Sequence, residues 1–128
     1  MSDALVWQLV RKNNCFMKKR GKFTFSAERA NAAKQHTFQA SGLANQKAVG
    51  VELDANKNVV MIVKSKKESN ARKPKSMFMT IGMKKGSRSA IATADKYLGK
   101  YRPDLKPAVL SRISAFYRGK NKAVKSSK

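Results

Sequence analysis

Twenty-nine lysines and arginines stand against seven aspartates and glutamates in this chain, a formal charge of +22 on 128 residues. No other feature restricts the fold as much. Cations at this density repel one another and oppose compaction. Val, Ile, Leu and Phe together supply 26 residues, a fifth of the chain, with which to resist that repulsion. Such a balance lies at the border of intrinsic disorder. The length suits one domain rather than two. A polyanionic partner that neutralises the charge resolves the conflict, and a free-standing metabolic enzyme does not.

Other classes fall away on single residues. No stretch approaches the ~18 apolar residues of a membrane span. The opening MSDALVWQLVRKNN has no basic region ahead of its apolar residues, so it does not read as a secretory signal. Cys15 is the one cysteine, which excludes an internal disulfide and fits a reducing compartment, cytosol or nucleus. The thiol is expected to be buried and structural. His36 and Cys15 cannot hold zinc without carboxylates, and His36 is expected to pack or support a loop. Glu52 and Asp54 share a strand face at i, i+2, as a metal pair would require. They also fall at a hairpin end, where solvated acids are ordinary. Phosphate-loop, dinucleotide, zinc-protease and serine-hydrolase motifs do not occur. The expectation is a protein with no catalysis, no cofactor, no metal, no small-molecule substrate and no membrane partner.

Hydrophobic spacing predicts an α+β fold. Leu5, Val6, Leu9 and Val10 lie on one face of a helix over 3–12, with Ser2 or Asp3 as cap and Asn13-Asn14 as stop. Trp7 lies off that stripe and is expected in the core. From 15 to 63 the period becomes two. Phe23, Phe25 and Ala27 alternate with polar residues, and Gly21 supplies a tight turn. Val49, Val51 and Leu53 alternate, and Val59-Val60-Met61-Ile62-Val63 reads as a strand buried on both faces. DANKN between them makes 48–63 a hairpin. The segment 28–45 reads as loop, anchored at Phe38, and 64–75 as a long solvated or nucleic-acid-binding loop. MFMTI at 77–81 is a further strand. Ile91, Ala94, Leu98 and Tyr101 define one helix, capped by Ser87 or Ser89. Val109, Leu110, Ile113, Phe116 and Tyr117 define another, with Asp104 as its cap and Pro107 at its third position. The expected organisation is one α+β domain over 1–118: an N-terminal helix, a small antiparallel sheet and two C-terminal helices. A basic tail over 119–128 is expected to be disordered until bound.

The cations form clusters with few acids between them. The candidate RNA-contacting residues are Arg11 and Lys12; Lys18, Lys19, Arg20 and Lys22; Lys64, Lys66, Lys67, Arg72, Lys73 and Lys75; Lys84, Lys85 and Arg88; Lys100, Arg102 and Arg112; and Arg118, Lys120 and Lys122. Lys and Arg on phosphates gain from counterion release. The aromatic motif of single-strand RNA modules and the zinc-finger pattern are both absent. Contacts to phosphate and RNA shape are therefore expected ahead of base reading.

WxxVRKNN (Trp7 to Asn14), FMKKR (Phe16 to Arg20), FSAE (Phe25 to Glu28), SGLANQKAVGVE (Ser41 to Glu52), RKP (Arg72 to Pro74) and KYRPDLKPAVLSRISA (Lys100 to Ala115) keep their order over roughly 5–118. In these segments the chain resembles the eukaryotic-type ribosomal protein L-twenty-eight family of the large subunit. The resemblance implies an α+β fold and a structural role on large-subunit ribosomal RNA, beside neighbouring large-subunit proteins and not as a homo-oligomer. It also implies a cytoplasmic ribosomal location with nucleolar passage during assembly. The same region is similar to the N-terminal domain of a nucleolar ribosome-assembly factor of the Mak-sixteen type. That factor adds a cysteine-rich element and an acidic extension, whereas this chain has one cysteine and a basic C-terminal stretch. Within YRPDL, Tyr101 and Leu105 are expected to turn inward and Arg102, with Arg112 and Lys100, outward toward RNA.

Overall fold

The computed structural model describes residues 2–65, 67–71 and 73–126, and of residues 68, 71 and 121–126 the backbone alone. Helix α1 (Asp3–Val10) is followed by a hairpin of β1 (Met17–Arg20) and β2 (Phe23–Ser26). After a long coil come β3 (Val49–Leu53) and β4 (Val59–Lys64). Two single-turn helices, α2 (Glu68–Ala71) and α3 (Pro74–Met77), lead to β5 (Phe78–Met83). Helix α4 (Ser87–Tyr101), a 3₁₀ turn (Pro103–Leu105) and α5 (Lys106–Ser126) complete the chain. The architecture is α+β, with a two-stranded sheet β1-β2 and a three-stranded antiparallel sheet β3-β4-β5.

The larger sheet explains the apolar run in β4. Val49, Val51, Val59, Met61, Val63 and Met83 face α4 and α5 and close on Ala90, Ala94, Leu98, Tyr101, Val109 and Ile113. The intervening residues Val60 and Ile62 are also buried. Their cover is the coil 27–48, whose Ala30, Ala40, Ala44 and Ala48 are buried in turn. Small side chains let this backbone lie flat on the sheet. At Gly50 a Cβ would collide with the Arg29 carbonyl oxygen, so the close crossing requires glycine there.

Several expectations are met locally. Gly21 takes φ +57° in the β1–β2 turn. The Ser2 hydroxyl accepts the Leu5 N–H at 3.3 Å. Asn14 closes α1 by donating from its amide to the Val10 carbonyl at 3.2 Å. Tyr101 and Leu105 are buried, and Arg102 ends α4 before Pro103.

Others are corrected. Helix α1 stops at Val10 and buries no residue; Leu5 and Leu9 are exposed. Trp7 leaves the core to meet His36 (ring centroids 5.0 Å) and Phe38 (5.9 Å) on the coil. His36 packs as expected, its Nε2–H donating to the Arg11 carbonyl at 2.7 Å. Cys15 is exposed rather than buried, because the chain there runs along the surface between α1 and β1. The loop expected over 64–75 contains α2 and the start of α3, with Pro74 pre-set for a first helical turn. Gly86, not Ser87 or Ser89, caps α4, without a side-chain bond. Asp104 lies inside the 3₁₀ turn, so α5 begins at Lys106 and Pro107 takes its second position. The tail expected to be disordered continues α5 through Ser126.

Candidate nucleic-acid interface

Three exposed cation groups surround this frame. The first is the β1–β2 hairpin, with Lys18, Lys19, Arg20 and Lys22 all exposed and Arg11 and Lys12 nearby in sequence, after α1. The second borders the β4–β5 connection, where Lys67, Lys73 and Lys75 are exposed. Lys66 and Arg72 lie outside the described residues.

The third group gathers at the opposite end of the sheet. Pairing of Val59 with Met83 sets the β3–β4 turn beside the β5–α4 connection. The Tyr117 hydroxyl is shared between the Met83 and Lys85 carbonyls, at 2.7 and 2.6 Å. Lys120 Nζ donates to Asn58 Oδ1 at 3.3 Å. Lys84, Lys85, Arg118 and Lys120 therefore converge, together with Lys57, which sequence reasoning missed. Arg88 is exposed in the first turn of α4 and Lys100 near its end. The Lys122 side chain lies outside the described residues.

Three of the expected RNA-contacting residues are engaged within the fold. Lys64 Nζ donates to the Gly42 and Asn45 carbonyls at 3.0 and 2.8 Å, and burial lowers its pKa. Arg102 is turned onto the coil, not outward. Its guanidinium donates to the carbonyls of Lys47 (2.7 Å) and Gln39 (2.9 Å) and grips Asp104 at 2.9 and 2.6 Å. Arg112 Nε donates to the Val51 carbonyl at 3.3 Å and lies 5.2 Å over the Phe116 ring. The coil laid across the sheet and, for Arg112, the free edge of β3 present carbonyls that no ladder satisfies, and long cationic side chains reach them.

Asp104 is likewise engaged within the fold. Its carboxylate accepts from Arg102 and Gln39 instead of capping α5. The Arg102 hydrogen bond lowers its pKa to about 2.

Glu28 was not singled out in the sequence. It is 2% exposed, and its Oε2 accepts from the Ser41 hydroxyl (3.1 Å) and from the Gly42 and Leu43 N–H groups (2.6 and 3.3 Å). It organises the turn that Lys64 then fastens to β4. Nothing in a run of Ala, Asn and Arg marks that acid as internal. Glu52 pairs with Lys34 at 3.6 Å, so it is engaged inside the fold rather than with Asp54. Among the described residues no group of His, Cys, Asp and Glu could hold a metal ion. No described helix is long and apolar enough to cross a membrane.

What the fold and its surface define is a small α+β domain whose exterior is dominated by cations. Residues 5–119 match the Ribosomal L28e protein family. The chain belongs to that family. It is 35% identical over 121 residues to large ribosomal subunit protein eL28 of Schizosaccharomyces pombe, covering 90% of each chain. The protein of the same name from Dictyostelium discoideum is 32% identical, across all of this chain and 98% of the relative. That of Caenorhabditis elegans is 43% identical over 75 residues, 56% of this chain and 58% of the relative.

Proposed function

We propose that this chain is a structural constituent of the large subunit of the eukaryotic ribosome and binds ribosomal RNA chiefly through phosphates. The observation that carries the reading beyond the family is the fate of the acids. Glu28 is internal, Glu52 meets Lys34, Asp95 meets Lys106 and Asp104 meets Arg102. Asp3 accepts the Gln46 N–H at 3.3 Å. With five of the seven acids engaged inside the protein, the exposed cations have few counter-charges of their own. Phosphate is the polyanion that such a surface suits, with counterion release as the driving term.

The three exposed groups named above are the proposed contacts, with Arg88 and Lys100. Neighbouring large-subunit proteins complete the surroundings. The chain would act in the cytoplasmic ribosome after joining the subunit in the nucleolus. Sucrose-gradient sedimentation tests the reading. The tagged full chain should travel with large subunits at low salt, and rising salt should release it progressively. A chain that stays at the top of the gradient at low salt would refute it.

A further inference from the structure

We propose that the outer face of the β1–β2 hairpin is a stacking platform for unpaired RNA bases. The proposal rests on the RNA-binding reading above and names the part of the RNA that this face takes.

Residues paired across an antiparallel ladder point to the same side. Lys18 pairs with Phe25 and Arg20 with Phe23, so two rings and two cations share one face. The Ala27 N–H donates to the Phe16 carbonyl at 2.8 Å, which carries the ladder one pair further and adds the Phe16 ring to that face. Gln35, bridged to Phe25 from its other side, adds an amide. Phe23 is 71% exposed, Phe25 42% and Phe16 38%. The Phe23 and Phe25 centroids are 6.5 Å apart with planes tilted by 38°. Phe16 also forms part of the wall of a hollow of about 410 Å³, shared with Arg29, Leu43 and Phe78.

The alternation in β2 is inverted relative to a core strand. Ser26 is buried and Thr24 half-buried, while the phenylalanines between them face solvent. Apolar burial that the isolated domain forgoes at three rings marks a surface with a partner. Charge identifies the partner. Residues 4–27 contain no acid, and Lys18 and Arg20 sit directly opposite the rings. Bases stack on the rings while their phosphates meet the cations, the arrangement by which proteins hold single strands. A duplex offers no free base faces, so the occupant is a loop, bulge or end of RNA.

The test uses the full chain with two probes: a single-stranded RNA carrying 2-aminopurine, and a blunt duplex of the same length. Phe23→Leu with Phe25→Leu keeps apolar area and removes both rings; circular dichroism checks that the fold is kept. Single-strand affinity should fall on the order of tenfold per ring, with loss of the 2-aminopurine quench and unchanged duplex affinity. Phe23→Tyr with Phe25→Tyr should restore both. Lys18→Gln with Arg20→Gln should weaken both probes. If the leucine pair leaves single-strand binding and quench intact while the glutamine pair weakens both RNAs, the RNA reading stands and the platform is refuted. If the leucine pair binds both RNAs normally but no longer sediments with large subunits, the face holds a protein and the platform is likewise refuted. A native chain that binds neither probe refutes both.

Discussion

Arg102→Ala should unfold this domain more readily instead of merely weakening RNA binding. The guanidinium fastens two separate points of the coil, at Gln39 and Lys47, to the junction between α4 and α5. Its side chain is 15% exposed, and the Asp104 partner is 37% exposed. Each carbonyl bond contributes about 1 kcal/mol net. The Asp104 pair, screened by solvent, adds about 1 kcal/mol at most. The expected loss is therefore about 3 kcal/mol, a large share of the roughly 5–15 kcal/mol that holds a domain together.

Urea denaturation without RNA, in enough salt to screen the net charge, measures this directly. The midpoint should fall with the slope unchanged, as for a pure stability effect. Arg102→Lys should lie between the two, because lysine keeps the charge and loses the planar fork. An Arg102→Ala variant within about 0.5 kcal/mol of the native chain, as ordinary surface substitutions are, would refute the fastening role. If that variant had also lost large-subunit incorporation, the outward, RNA-facing orientation would be restored.

Glu28→Ala should cost about 3 kcal/mol, since three donors lose their acceptor inside the protein; Glu28→Gln keeps an acceptor oxygen and should cost markedly less in the same denaturation assay. Gly50→Ala should destabilise by more than the ~1 kcal/mol typical of a point substitution, because the Arg29 backbone must move off the sheet, and amide exchange in 27–48 should rise with it. The Asp104 pKa is depressed in the fold, so its contribution is complete above the ordinary carboxylate range, near pH 4, and is lost as pH falls toward about 2. Acid titration should show that loss in the native chain and not in Asp104→Asn.

Much of the fold is legible in the sequence because periodicity speaks to burial directly. The unbroken Val59–Val63 run requires cover on both faces, and it has α4 and α5 on one side and an alanine-rich coil on the other. The i, i+3, i+4 stripes of α4 and α5 likewise find the core. Periodicity does not say which face turns inward. Phe23 and Phe25 alternate with Thr24 and Ser26 as any amphipathic strand does, and here the polar set is inside. The stripe Leu5–Leu9 on α1 misleads in the same way. Trp7, off that stripe, makes the contact with the coil. The candidate interface is legible as charge and illegible as geometry. Arg102 and Lys120 look alike in the sequence, and the partner of each depends on a carbonyl or amide more than 50 positions away.

The cations therefore divide into two populations with different physics. Lys34, Lys64, Arg102 and Arg112 are partly withdrawn from water and each reaches a backbone carbonyl; Lys34 reaches that of Glu28 at 2.8 Å. These bonds hold the coil and α5 against the sheet whether or not a partner is present. Among the described residues, the exposed groups on the β1–β2 hairpin, beside the β4–β5 connection and at the Lys84–Lys120 end stay largely in water, Lys120 reaching one side-chain amide at Asn58, and their mutual repulsion opposes compaction. A bound polyanion would act on the second population and leave the first in place, so binding would add stability to a fold already specified. That division resolves the conflict posed by a net charge of +22. Internal cations replace part of the apolar content that the chain lacks, and external ones carry the charge that the proposed RNA partner would neutralise.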